Sequence, residues 1–214
     1  MKQTQLQRVL ESGIVAVVRS SDSQQLVDVA QSLADGGVTV VEITFTVPNV
    51  LEVIRQVRQS LGDQILLGAG TVLDPETARQ AILAGAEFIV APTLNLDVIR
   101  LCRRYDKLVI PGAFTPTEIL TAWENGAEIV KVFPAEAGGP NYLKAIRAPL
   151  PQVRLMPTGG VDLTNAAAYF QAGACCIGVG SQLVEPKAVA AGDFARIREL
   201  AREFVAVARK THNK

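Results

Sequence analysis

The amino-acid sequence predicts an α/β fold, a (β/α)8 or TIM barrel folded as a single domain over residues 1–214, with a capping helix ahead of the first strand. Three observations carry this expectation. Eight short apolar runs alternate with amphipathic segments from one end of the chain to the other. The runs are continuous in Val, Ile and Leu, the pattern of parallel strands covered on both faces. The amphipathic segments hold apolar residues at helical spacing and finish on a glycine suited to a C-cap. Eight such βα units favour a closed barrel over an open doubly wound sheet.

In chain order, the polar opening MKQTQLQRVLESG is expected to form a helix under the barrel, and IVAVV the first strand. SQQLVDVAQSLADGG reads as a helix, VTVVEITF and ILLGAG as the second and third strands, and PETARQAILAGA as the helix that follows. EFIVAP and LVIPGA form the fourth and fifth strands, with PTEILTAWENGA helical between the fifth and the sixth, EIVKVF. VRLMPTGG and CCIGVGS, separated by the helical LTNAAAYFQAGA, complete the eight, and Asp193 to Lys210 forms the last helix. The helix-to-strand junction recurs at Gly36, Ala84, Asn125 and Ala172, a weak internal repeat that helps only with register, since similar C-caps give the same look without duplication.

Composition narrows the function. At 49% hydrophobic the chain can bury one core, and its formal charge of zero with no basic block and interleaved aromatics points away from nucleic acid and from anionic membranes. Small molecules are the expected partners. The first residues lack the apolar run of a secretory signal, and no stretch reaches about 18 unbroken apolar residues, so a cytoplasmic location is expected. Cys102 stands apart, while Cys175 and Cys176 are neighbours on one strand, expected to face opposite ways. All three read as small buried hydrophobes. The one histidine, His212, lies in the polar tail, which excludes Ser-His triads, Cys-His dyads and nearly all zinc hydrolase sites. No metal and no organic cofactor is expected: the chemistry must rest on Lys, Glu, Arg, hydroxyls and backbone amides.

In such barrels the active site is built at the C-terminal ends of the strands. Two of the seven lysines touch strands: Lys107 precedes its strand and falls at the bottom, whereas Lys131 lies inside EIVKVFP, on the face of Ile129 and Phe133 and near the top. A lysine among apolar side chains loses charge and becomes nucleophilic near neutral pH, as imine formation requires. It could equally snorkel from the rim or pair with a carboxylate. Glu42 shifts the balance: alternating with Val40 and Thr44 towards the end of its strand, it could face Lys131 across the mouth and shuttle protons, although a structural ion pair would look the same.

The turns after the seventh and eighth strands, with Thr158, Gly159 and Gly160 and with Gly180 and Ser181, suit a phosphate held by backbone amides, while remaining compatible with ordinary tight turns. GAGTV resembles half of a dinucleotide fingerprint, but it lacks the third glycine and belongs to the third strand, so Thr71 is read as a hydroxyl available to a substrate carboxylate.

KVFPAE with Lys131, VEITFTVP with Glu42, GAGTVLDP, APTL and PTGGV occur in one order over nearly the whole length. In these motifs the chain resembles the 2-keto-3-deoxy-6-phosphogluconate (KDPG) and 4-hydroxy-2-oxoglutarate (KHG) aldolase family. The resemblance implies a class I, Schiff-base aldolase that reversibly cleaves the phosphorylated keto-deoxy sugar acid to pyruvate and glyceraldehyde 3-phosphate in the Entner-Doudoroff route, acting as a homotrimer. It also implies Lys131 as imine former, Glu42 as general acid and base, Thr71 and Pro92 around the pyruvyl group, Phe133 beside the imine, and Thr158, Gly159, Gly160, Gly180 and Ser181 at the phosphate. Some members carry an arginine four residues beyond the glutamate. Thr46 stands there in this chain, and the resemblance to other branches implies Arg19 as the substitute that binds the substrate carboxylate. The galactonate epimer and KHG form the same pyruvyl imine. A phosphate-binding barrel isomerase or synthase, or a barrel that only binds a sugar phosphate, would use the same loops without an imine at Lys131.

Overall fold

The computed structural model describes residues 2–20 and 23–211, so His212 lies outside the described residues. The strands are β1 (Ile14–Val18), β2 (Val40–Thr44), β3 (Leu66–Gly70), β4 (Phe88–Val90), β5 (Leu108–Ile110), β6 (Gly112–Ala113), β7 (Val130–Val132), β8 (Leu155–Pro157) and β9 (Ile177–Val179). The helices are α1 (Lys2–Ser12), α2 (Leu26–Asp35), α3 (Val50–Leu61), α4 (Pro75–Ala84), α5 (Leu96–Arg104), α6 (Pro116–Glu124), α7 (Gly139–Arg147), α8 (Ala166–Gln171), α9 (Pro186–Ala191) and α10 (Phe194–Thr211). No helix among the described residues is long and apolar enough to cross a membrane.

All strand pairs are parallel. Six strands run in the order β5-β4-β3-β2-β1-β9 and three in the order β6-β7-β8. The two sheets adjoin on both sides: β5 continues through Pro111 into β6, and Thr158, directly after β8, bridges Gly178 of β9. The arrangement is of the α/β barrel type. LVIPGA, expected as one strand, is split because Pro111 has no N–H for the ladder, although its carbonyl still accepts from Lys131 N at 2.9 Å.

Strand alternation sorts the apolar residues into two cores. One register, with Ile14, Ala16, Val18, Val41, Ile43, Leu67, Ala69, Ile89, Val130, Ile177 and Val179, packs with the helices. The other, with Val15, Val40, Leu66, Phe88, Leu108, Ile129, Met156 and Cys176, forms a second cluster joined by Leu6 and Val9 of α1. Burying each Val, Leu, Ile, Phe or Met among them stabilises by about 1.5–3 kcal/mol. Gln5 of α1 is buried with them, its Oε1 accepting from Leu108 N at 2.9 Å. Glu42, Gly68, Gly70, Lys131, Thr158 and Gly178 fall in this second register, so the chemistry-bearing side chains share the face of the strand-enclosed core.

Helix ends follow the local sequence. Asp74 caps α4, accepting from Thr77 N at 2.6 Å, and Gly85 ends that helix at φ 117°. Thr115 and Glu118 form a reciprocal capping box on α6, an arrangement that stabilises a helix by about 1 kcal/mol. The last helix begins one residue later than expected because Asp193 sits outside it, its carboxylate accepting from Arg196 N. The cysteine expectation needs correction. Cys175 and Cys176 precede β9, Cys175 is half-buried, and their Sγ atoms lie 3.8 Å apart rather than on opposite faces. The bend before the strand breaks the alternation that predicted divergence.

Candidate active site

Lys131 is the middle residue of β7, between Gly112 on one neighbouring strand and Met156 on the other. The amine is buried, at 2% exposure, with Nζ 5.0 Å from the centroid of the Phe133 ring two residues on. Glu42, the centre of β2, is 1% exposed. Both of its carboxylate oxygens lack a hydrogen-bond partner, a costly state for a buried ion.

The space that the Glu42 carboxylate fills is made by Gly70 on the adjacent strand. A Cβ there would stand 2.6 Å from Glu42 Oε1 and 2.9 Å from Cδ. Gly68 does the same for Phe88, whose ring would be 2.4 Å from an added Cβ, and Gly178 for Thr158 Oγ1 at 2.2 Å. Small residues in the inward register thus hold the side chains of the neighbouring strands.

Burial sets the protonation of the pair. It raises the Glu42 carboxyl above its ordinary value, against the opposing pull of Lys131 and Arg19. It lowers the Lys131 amine, opposed by Glu42, with the Arg19 guanidinium adding to the lowering. Both shifts favour the neutral form, the amine towards its free base and the carboxyl towards its protonated acid. Arg19, exposed and one residue past β1, acts on both from the rim.

A cavity of about 360 Å³ opens above β1, β8 and β9. Arg19, Phe133, Thr158, Gly159, Gly160, Gly180 and Ser181, all singled out in the sequence, line it. Thr158 is 4% exposed and its Oγ1 has no partner. Gly159 and Gly160 take φ of 93° and 69°, conformations that L side chains rarely adopt. Lys131 adjoins this cavity through Phe133, and Glu42 is tied to Lys131 and Arg19 by its charge interactions.

Thr71 and Pro92 do not line the cavity. Each follows its own strand, β3 or β4, and is half-buried. Thr71 takes φ 59°, the left-handed region, a strained state for a β-branched residue that concentrates at functional sites. The Pro92 carbonyl lies against Gly112, where an added Cβ would be 2.3 Å from its C. Thr46, at the position of the missing arginine, is exposed, its hydroxyl 2.7 Å from that of Thr44. Sequence reasoning missed Val17, Glu136, Val161, Gln182, Val184 and Pro186 of the lining. Of these, Glu136 had a readable signal, since it sits in KVFPAE three residues after Phe133.

A buried lysine whose surroundings disfavour its charge, a buried carboxyl coupled to it and an anion-suited glycine turn on parallel strands together define the equipment of an amine-nucleophile enzyme. The chain belongs to the KDPG and KHG aldolase family, whose model matches residues 6–200. It is 38% identical over 203 residues, 94% of this chain and 95% of the relative, to 2-dehydro-3-deoxy-phosphogluconate aldolase of Treponema pallidum (strain Nichols). It is 36% identical over 171 residues, 79% of this chain and 83% of the relative, to 2-dehydro-3-deoxy-6-phosphogalactonate aldolase of Escherichia coli (strain K12). Among solved structures it resembles KDPG aldolase of Legionella pneumophila, which was captured at low pH with pyruvate as a covalent carbinolamine intermediate. The TM-score is 0.84 at 30% identity, covering 89% of this chain and 93% of that one.

Proposed function

We propose that the protein is a class I aldolase that cleaves 2-keto-3-deoxy-6-phosphogluconate to pyruvate and glyceraldehyde 3-phosphate through an imine on Lys131. The observation that carries the reading is the neutral tendency of two buried partners, Lys131 and Glu42, beside one cavity. The amine of Lys131 adds to the C2 ketone, giving a carbinolamine. Glu42 donates its proton to the C2 hydroxyl, which leaves as water and creates a cationic imine. The Glu42 carboxylate, directly or through a water, then takes the proton of the C4 hydroxyl. The C3–C4 electron pair moves into the imine, the aldehyde departs, and the enamine is protonated at C3. Water hydrolyses the resulting imine to pyruvate and restores the amine.

Arg19 is assigned to the substrate carboxylate, Thr71 and Pro92 to the pyruvyl group, and Phe133 to the wall beside the imine. Thr158, Gly159, Gly160, Gly180 and Ser181 are assigned to the phosphate end. The unpartnered Thr158 hydroxyl and the positive φ of both glycines support the last assignment. The steps need neither metal nor organic cofactor. The reading extends to one closed (β/α)8 domain with α1 as its lower cap, supported by the adjoining sheet edges and by Leu6 and Val9. It extends also to a cytoplasmic homotrimer of the Entner-Doudoroff route.

Pyruvate release from three purified substrates tests the assignment. The gluconate compound is expected to give the highest kcat/KM; faster cleavage of the galactonate epimer or of KHG would reassign the substrate while keeping the mechanism.

A further inference from the structure

The cavity beside Lys131 has two ionisable side chains in its lining, Arg19 and Glu136. Arg19 belongs to the Lys131 and Glu42 end, where it acts on both. Glu136 belongs to the other end. Phe133, against Lys131, would lie 3.5 Å from a Cβ on Gly159, and a Cβ on the next residue, Gly160, would lie 2.5 Å from Glu136 Cβ and 2.8 Å from its Oε2. The carboxylate therefore leans on the glycine turn itself. The backbone holds it there: Ala135 N donates to Thr158 O at 2.8 Å and Glu136 N to Gly159 O at 3.1 Å. A doubly charged anion seated on that turn would meet the Glu136 carboxylate, of like charge.

We infer that Glu136 is a specificity-determining residue that makes the distal end of the cavity accept a phosphate monoester as its monoanion, the P–OH donating to the Glu136 carboxylate while the other oxygens accept from the turn. This rests on the proposed function, since it needs a phosphorylated ligand turned over at Lys131. A phosphate monoester loses its second proton near pH 6, so the accepted species falls about tenfold for each pH unit above that value. An unphosphorylated aldehyde feels no such loss.

Other ionisable groups on the elements packed around the turn are Asp162 after β8, Tyr169 of α8, and Tyr142, Lys144 and Arg147 of α7. Arg19 shares the lining, Lys131 adjoins it through Phe133, and Glu42 interacts with both. Tyr169 donates to Ala135 O, its hydroxyl raised by burial and further by Glu136 and Asp162, while Tyr142 donates to Phe114 O and Arg147 to Gly173 O. Asp162 is lowered from the ordinary carboxyl range and the two tyrosines are raised from theirs, so none of the three changes charge between pH 6 and 8, and the comparison with E136Q isolates the Glu136 carboxylate.

The test measures apparent KM for D-glyceraldehyde 3-phosphate and for D-glyceraldehyde, each condensed with pyruvate, between pH 6 and 8. In the wild type the phosphorylated-to-plain ratio is expected to rise about fiftyfold across this range, since about half of the monoester is monoanionic at pH 6 and about a hundredth at pH 8. In E136Q it is expected to stay flat, with turnover of plain glyceraldehyde retained. A flat wild-type ratio, or an equal rise in E136Q, overturns the inference while leaving the aldolase reading intact. Should E136Q fold poorly, the wild-type ratio and E136D, expected to keep the rise, still decide. If neither aldehyde is condensed by the wild type and no pyruvyl adduct forms on Lys131, the aldolase reading fails and takes this one with it.

Discussion

Replacing Gly70 by alanine isolates the contribution of space to catalysis. Gly70 lies in ordinary strand geometry, so alanine is conformationally permitted, and the consequence comes from its Cβ alone. That atom would stand 2.6 Å from Glu42 Oε1, 2.9 Å from Cδ and 3.2 Å from Thr44 Cγ2. Relief to ordinary van der Waals contact requires the carboxyl to move by about 1 Å, because neither neighbouring strand can yield in a packed interior. Overpacking of this kind costs about 1–3 kcal/mol, and displacing a proton-transfer group by such a distance costs about a hundredfold in rate. Gly68, two residues earlier on the same face and paired in register with Glu42, is the internal control: its Cβ would meet the Phe88 ring first, at 2.4 Å, rather than the Glu42 carboxyl. Both variants should therefore lose several degrees in Tm, at about 2–4 °C per kcal/mol for a chain of this size. Only G70A should also lose about a hundredfold in kcat, read as pyruvate release at saturating substrate, with G68A within a few fold of wild type. Retention of kcat in G70A, or an equal loss in G68A, would refute the claim that Gly70 holds the place of the Glu42 carboxyl.

E42Q should lower kcat by about 10²- to 10⁴-fold while borohydride with pyruvate still labels Lys131, only more slowly, as mass mapping of timed samples would record. Because burial raises the Glu42 carboxyl, the native state holds a proton that the unfolded chain gives up above its ordinary pKa of about 4.3, so stability falls as pH rises from there towards the raised value. Thermal melts of E42Q should lack this slope, its Tm advantage over wild type growing between pH 5 and pH 8; an unchanged difference would contradict the direction. K131M removes a buried amine whose charge is disfavoured and should abolish turnover while raising Tm, in the usual opposition of stability and activity. S181A should raise KM for the phosphorylated substrate several fold and leave kcat near wild type, as initial rates would establish.

The barrel-type architecture was readable because strand and helix periods are local properties. Continuous Val and Ile runs, glycine C-caps such as Gly85 and the Thr115 box announce themselves within a few residues. Lys131 and Glu42 were readable for a similar reason: alternation fixes which face a strand residue takes, and both share the register of the strand-enclosed core. What escaped depends on who stands beside whom. Gly68, Gly70 and Gly178 look alike in sequence, and only cross-strand register shows that they make room for Phe88, Glu42 and Thr158. Glu136 entered the cavity because a short turn is laced to residues 158 and 159, a pairing that no periodicity encodes. The Cys175–Cys176 geometry went astray because the alternation rule was applied to a bend outside the strand.

Borohydride reduction in the presence of pyruvate, followed by peptide mass mapping, tests the central claim most directly. A single pyruvyl adduct confined to the peptide bearing Lys131, and absent from K131M, is the predicted result. No adduct, or label scattered over the exposed lysines with turnover preserved in K131M, would contradict imine chemistry at this site.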